Sequence, residues 1–188
     1  DPNDPIWSYI REVGADQGAI IQLTPEGMNL FNAAVIDRPG VRYASVVVAA
    51  PRPSLSELAR YRSLKHTVLY GVFALLHAIA AREHLHYPYP WPIEQHLRQL
   101  VASLPFEPTS ETNDGIVPTL SQIHGEILDT QLADHLDVVG QFYNAGGRPL
   151  SDWLPSGSHF DEAKFVAVWS RIADFICRES ALFSQLPA

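Results

Sequence analysis

The stretch TNDGIVP (residues 112–118), followed by ADHLDVVGQ (residues 133–141), contains the residues that most clearly predict the fold and its chemistry. Asp114 lies in a glycine-containing turn, a predicted strand follows, and His135 comes in the next loop. Such a turn and loop can meet at one edge of a sheet, so we expect the carboxylate and the imidazole to come together. Asp114 would then accept the Nδ1 proton of His135 while Nε2 takes a proton from a serine hydroxyl.

These two motifs resemble those of a known family. Asn113–Pro118 and His135–Asp137 look like the acid and histidine motifs of bacterial triacylglycerol lipases and esterases of the α/β-hydrolase class, in the same chain order. The resemblance extends from about Gly18 onward and is architectural outside the motifs. It implies an α/β fold, namely the C-terminal part of an α/β-hydrolase sheet. It also implies hydrolysis of a carboxylic ester or lipid through an acyl-enzyme.

The same resemblance implies how the chain is organised. Residues 1–188 would form a single, partial α/β-hydrolase-like domain, a length that suits one core. Residues 55–104 would form a helical cap insertion over the acyl pocket. The aromatic loop from Tyr87 to Trp91 would line that pocket or, alternatively, pack onto the body of the protein.

No nucleophile accompanies the pair in this sequence. The family carries its serine in a G-x-S-x-G turn upstream of the acid and the histidine, and the sequence has no such motif. Ser156 and Ser158 lack the flanking glycines and follow His135, and Ser45 lies within a strand pattern. We therefore expect the serine on an N-terminal hydrolase half, either preceding Asp1 or forming a separate chain. We expect the present chain to associate with that half and to be inactive alone.

Two other functions stay open. A hydrolase-like framework without its nucleophile would act as a non-catalytic binding or interaction module that presents a hydrophobic groove. A complete triad of serine, histidine and aspartate can also transfer an acyl group to an acceptor other than water. A strand followed by G-x-S-x-G in the upstream reading frame would favour the enzyme over the binding module.

The resemblance also implies a metal site in the histidine loop. Relatives of this type hold a calcium ion there, and Asp137 and Gln141 match two of the ligand positions. Calcium needs about six to eight oxygen ligands, so a loop-bracing Asp137 is the alternative. The triad chemistry itself requires no cofactor. Asp134 is a rival to Asp114 as the partner of His135, although an immediate neighbour tends to point its side chain away.

The apolar pattern predicts helices mixed with strands. Thr24 and Pro25 begin a helix that runs to about Val35, and the β-branched residues 41–50 and the alternating residues 126–132 form strands. Further helices are predicted over residues 55–84 as one or two elements, 92–103, and 161–179. In the first of these regions the residues expected to face the core are Leu58, Tyr61, Leu64, Val68, Val72, Leu75, Leu76 and Ile79.

Composition limits the classes of partner. Thirteen basic and twenty-one acidic residues give a formal charge of -8, which disfavours nucleic acid and anionic membrane surfaces. No apolar run reaches the roughly 18 residues of a transmembrane helix. The single cysteine, Cys177, excludes an intrachain disulfide and is expected to be a small buried hydrophobe. We expect a soluble chain, and an extracellular location stays open.

Overall fold

A computed structural model describes residues 24–82, 92–142 and 152–183. The chain divides into two compact units, residues 1–42 with 83–89 and residues 43–82 with 90–188, and each is described by itself. The prediction of a single domain stays a prediction.

The first unit contains helix α1 (Pro25–Ala34). The hydroxyl of Thr24 accepts a hydrogen bond from the amide of Gly27 at 3.2 Å, and Pro25 takes the first helical turn, where its missing amide proton costs nothing. The helix ends at Ala34, with Val35 as its C-terminal cap. The predicted start and end of this helix are confirmed.

The second unit contains a parallel pair of strands, β1 (Ala44–Ala49) and β2 (Glu126–Leu132). Ala44 pairs with Glu126 and Ala49 with Leu132, with an irregularity between Ser45 and Val46. The described residues thus form a mixture of helices and strands with a small parallel sheet, which is compatible with the predicted α/β class.

The first strand is shorter than the sequence predicted. Residues 41–50 were expected to be extended, but Val41 is half exposed and its amide bonds to the carbonyl of Arg38 in a turn through Gly40. Gly40 has a φ of +80°, a backbone conformation that glycine adopts far more readily than other residues. The turn therefore delays the start of β1 to Ala44.

The helices of the second unit lie close to their predicted positions. The region predicted as one or two helices, described as far as residue 82, contains two. Asp161 caps the last helix by accepting a hydrogen bond from the amide of Lys164. The bounds are α2 (Leu55–Leu58), α3 (Leu64–Ala80), α4 (Glu94–Ser103) and α5 (Glu162–Phe183), with short 3-10 helices at Thr119–Gln122 and Asp137–Val139. Helices α4 and α5 both contact β2.

Two groups of buried side chains hold this unit together, and the end of β1 contributes to both. The first consists of Val48, Ala133, Phe142, Phe160 and Val168. The second consists of Ala50, Tyr70, Phe73 and Leu154. Val48 and Ala50 therefore fix the end of β1 and the residue after it, close to the segments that contain Asp114 and His135.

The predicted core face of α3 is wrong for most of its residues. The buried residues of the helix are Leu69, Tyr70, Phe73 and His77, whereas Leu64, Val68, Val72, Leu75 and Ile79 are exposed. Apolar residues occur on nearly every side of this helix, so periodicity alone does not choose the buried face. Leu58, Tyr61 and Leu76 do pack against the core, as expected.

Three remaining expectations concern exposure and the membrane. Cys177 is exposed, so its predicted burial is wrong. The aromatic loop, residues 87–91, lies outside the described residues. Within the described part of the chain, no helix is both long enough and apolar enough to cross a membrane.

Candidate active site

Asp114 and His135 are in direct contact. Oδ2 of Asp114 lies 2.9 Å from Nδ1 of His135. The Asp114 side chain is 2% exposed and that of His135 is 41% exposed, so the acid lies inside and the imidazole at the surface. The hydrogen bond to Asp114 raises the pKa of His135, while burial acts in the opposite direction. The predicted contact is present, and the catalytic role of the pair stays a prediction.

The Asp114 carboxylate is held by its own turn. Oδ1 accepts from the amides of Ile116 at 2.9 Å and Val117 at 2.7 Å, and the amide of Asp114 donates to the carbonyl of Val117. Gly115 has a φ of +95°, and a Cβ there would lie 3.0 Å from the ring of Phe73. Asp and Gly at successive positions favour this turn, which is why the sequence signal was clear.

Gln122 is a neighbour of the acid that sequence analysis missed. Its Nε2 donates to Oδ2 of Asp114 at 3.1 Å and also to the carbonyl of Val48. Its Oε1 accepts from the amide of Val48 at 2.8 Å. One side chain therefore links β1 to the carboxylate. Gln122 and Val48 are far apart in the chain, and no spacing pattern in the sequence indicates the link.

Asn113 connects the acid turn to helix α3. This fully buried residue donates through Nδ2 to the carbonyls of His77 at 3.1 Å and Glu111 at 2.9 Å. Its Oδ1 accepts from the amide of Gly115 at 2.8 Å. All of these bonds fix the backbone on which Asp114 stands.

The backbone on either side of His135 is also fixed. The amide of His135 donates to the carbonyl of Asp114 at 3.0 Å, and the amide of Ala133 donates to the carbonyl of Ala49 at 2.9 Å. The turn of Asp114 and the loop after β2 are therefore joined by main chain as well as by side chains. This local support explains how two segments on either side of one strand bring their polar groups together.

Asp134 does not compete with Asp114 for the imidazole. Its Oδ1 accepts from the amides of Leu136 and Asp137, and its Oδ2 accepts from Oγ of Ser156 at 2.7 Å. The side chain thus turns into the protein, as expected of an immediate neighbour. Burial, together with repulsion from Asp137, raises the pKa of Asp134 to about 9.

The serines considered as nucleophiles all have other partners. Ser158 donates to Oδ2 of Asp137 at 2.7 Å, Ser156 donates to Asp134, and Ser45 donates to the carbonyl of His124. Within residues 24–82, 92–142 and 152–183, the structure records no serine hydroxyl bonded to His135. The described residues thus contain an acid and a base without a serine beside them.

The calcium site that the resemblance implies stays a prediction, because the described residues do not test it. Oδ2 of the buried Asp137 accepts from the amide of Asp134 at 2.9 Å and from Ser158, which matches a loop-bracing role. In the part of the chain that the structure describes, no group of three or more His, Cys, Asp or Glu side chains is arranged to hold a metal ion. The main chain of Gln141 donates to the carbonyl of Leu136.

Comparisons with protein-family models, curated proteins and solved structures found no match.

The geometry suits proton transfer. Since Nδ1 of His135 is bonded to a buried carboxylate, Nε2 is the ring nitrogen left to accept a proton from a neighbouring hydroxyl. The carboxylate would stabilise the imidazolium that results. A serine hydroxyl brought within about 2.6–3.2 Å of Nε2 would complete a nucleophilic triad.

Proposed function

We propose that this chain supplies the acid and the base of a serine hydrolase that cleaves carboxylic esters, including lipids. The observation that carries the proposal is the 2.9 Å contact between His135 and Asp114, with the carboxylate buried and the imidazole half exposed. A buried acid that orients a surface histidine is the arrangement that activates a serine.

The roles follow from this geometry. Asp114 accepts a hydrogen bond from Nδ1–H and holds the ring in one tautomer. Nε2 of His135 takes the serine proton as the serine attacks the ester carbonyl. His135 then returns that proton to the leaving alcohol and activates the water that releases the acid product. The serine is proposed to lie on an N-terminal or separate segment, because no described serine bonds to His135 and the sequence has no G-x-S-x-G motif.

The fold has a place in this proposal. Strands β1 and β2 would be the last strands of an α/β-hydrolase sheet, and the helices within residues 55–104 would form the cap over the acyl pocket. Support for this assignment comes from the parallel pairing of the strands and from the position of His135 directly after β2. His135 follows the C-terminal end of β2, and Asn113, next to Asp114, accepts a hydrogen bond from Ala50, directly after the C-terminal end of β1. Ligands bind at this end of the strands in open α/β sheets.

Labelling with a fluorophosphonate, which reacts only with activated serines, tests the proposal. The protein expressed from its complete reading frame is expected to be labelled and to hydrolyse short p-nitrophenyl esters. Substituting His135→Ala is expected to lower turnover by about three orders of magnitude or more without preventing folding. His124→Ala is the matched control, because His124 lies at the other end of β2 and is exposed.

Unchanged turnover in His135→Ala would reject the proposed role of His135. A folded protein that is neither labelled nor active on esters would reject the hydrolase and favour a binding module on a hydrolase-like framework. Labelling without hydrolysis, with acyl transfer to an added alcohol, would indicate a transferase that uses the same pair.

A further inference from the structure

Four consecutive main-chain amides surround His135, and each has an acceptor. The amide of His135 itself bonds to the acid turn. The amide of Asp134 donates to the Asp137 carboxylate, and the amides of Leu136 and Asp137 both donate to the Asp134 carboxylate. These two buried carboxylates therefore fold the loop around the histidine.

Two serine hydroxyls hold those carboxylates in turn. Ser156 donates to Asp134 and Ser158 donates to Asp137, each at 2.7 Å, and all four side chains are buried. A distance of 2.7 Å is the usual length of a well-formed O–H···O hydrogen bond. Each serine of this segment thus bonds to a different aspartate of the histidine loop.

The segment that contains the serines is itself anchored at both ends. Leu154 belongs to the core group around Phe73, and Phe160 belongs to the group around Val48. Between them Gly157 has a φ of +76°, and a Cβ there would lie 2.8 Å from the Glu57 side chain. The hydroxyls are therefore held on a backbone that has little room to shift.

We propose that Ser156 and Ser158 are positioning residues for His135. Through Asp134 and Asp137 they fix the loop that holds the imidazole against Asp114. Any effect of the serines on catalysis rests on the proposed function. Their effect on the position of His135 does not. Neither serine is a nucleophile: each hydroxyl is buried and bonded to an aspartate.

The test is the Nδ1 proton of His135, observed by NMR in the whole chain labelled with 15N-histidine. Its signal is identified by its loss in Asp114→Asn. In Ser156→Ala and in Ser158→Ala, solvent exchange of this proton is expected to accelerate about tenfold, since each variant leaves one buried carboxylate without its donor. Ser121→Ala is the matched control, because its hydroxyl bonds to the carbonyl of Pro118 in an exposed position.

A role confined to stability would lower the melting temperature of the Ala variants without changing exchange at Nδ1 in the folded protein, and that result overturns the proposal. Should an Ala variant fail to fold, Ser156→Cys and Ser158→Cys decide, because a thiol fills similar space with a weaker donor. Faster exchange in the folded Cys variants supports the proposal, and exchange equal to that of Ser121→Ala rejects it.

The outcome is separable from that of the proposed function. If exchange depends on the serines but the complete protein reacts with no fluorophosphonate, the hydrolase is rejected and the positioning role stands. If the protein is labelled and neither serine substitution changes the exchange rate of the Nδ1 proton, the positioning role alone is rejected. In an active enzyme, Ser156→Ala is expected to lower kcat and leave KM close to its original value.

Discussion

At the scale of single residues, both carboxylate oxygens of Asp114 are engaged. Oδ1 receives the amides of Ile116 and Val117, and Oδ2 receives Gln122 and His135. The two backbone amides and Gln122 are donors, and the imidazole is a donor in the tautomer that carries a proton on Nδ1. Both oxygen positions must therefore accept hydrogen bonds. A carboxylate has two acceptor oxygens, whereas a side-chain amide has only one.

Substituting Asp114→Asn is expected to lower the pKa of His135. Asp114 raises that pKa through its hydrogen bond, so an amide removes the cause and leaves the opposing effect of burial. Titration of the imidazole by NMR checks the direction. Asp174→Asn, on the exposed side of α5, should leave the pKa unchanged, and an unchanged pKa in Asp114→Asn would contradict the assigned contact.

Substituting Gln122→Glu is expected to destabilise the protein by about 1–3 kcal/mol at neutral pH, since a carboxylate replaces a donor beside Asp114. Repulsion would raise the pKa of the new acid in the folded state, so the loss should be small below about pH 4 and grow as the pH rises. Urea unfolding at several pH values measures this.

The matched control is Gln99→Glu, because Gln99 donates to the carbonyl of Ile127 and not to a carboxylate. A pH dependence as steep in the control as in Gln122→Glu would show that the Asp114 contact is not its cause.

At the scale of elements, helix α3 separates what periodicity can predict from what it cannot. The sequence predicted a helix here, and the helix is present from Leu64 to Ala80. It did not predict which face is buried, because apolar residues occur on both faces of the helix. Leu69, Tyr70 and Phe73 are buried, whereas the apolar residues of the other face are exposed. Contacts with Ala50 and Leu154, distant in the chain, choose the face.

Substituting Phe73→Ala is expected to cost about 3–5 kcal/mol of unfolding free energy, because the ring is fully buried between Ala50 and Leu154. Leu75→Ala is the matched control on the same helix, where the side chain is 62% exposed, and should cost less than about 0.5 kcal/mol. Denaturant unfolding compares the two. Equal losses, or a larger loss at Leu75, would favour the face that the sequence predicted.

The same distinction applies to the candidate site. Asp114 and His135 were predicted because a turn, a strand and a loop lie in one short segment whose residue types favour that order. Gln122 and Ser156 were not predicted as supports, because their partners lie in other elements and both residue types are common on surfaces. Local chemistry was therefore predictable, and support from distant parts of the chain was not.

At the scale of the whole molecule, buried acids among the described residues make stability depend on pH. Burial raises the pKa of Asp152 to about 7, and burial with repulsion from Asp137 raises that of Asp134 to about 9. An acid whose folded pKa is raised binds more protons in the folded state. Its contribution to stability is present at low pH and is lost as the pH rises through the folded value.

We therefore expect the free energy of unfolding to fall between about pH 7 and pH 9, where Asp134 is still titrating in the folded protein. Burial lowers the pKa of His77, so that residue is uncharged throughout this range and does not oppose the trend. Urea unfolding at both pH values measures the difference.

The decrease in unfolding free energy between pH 7 and pH 9 should be smaller in Asp134→Asn, because the amide cannot ionise. It should persist in Asp161→Asn, because Asp161 is an exposed helix cap. Stability that rises from pH 7 to pH 9 in the unsubstituted protein would contradict the raised pKa of Asp134.

One main-chain contact has an evolutionary consequence. The amide of Ala50 donates to the carbonyl of Asn113 at 2.9 Å, so the intervening polypeptide leaves and returns at nearly the same point. A change in the length of the segment between them therefore leaves the path from β1 to Asp114 unaltered as long as this contact is kept. A replacement must offer a carbonyl where His77 now accepts from Asn113, and an apolar surface where Phe73 now meets Gly115. Insertions and deletions within this segment are therefore compatible with an unaltered acid and histidine.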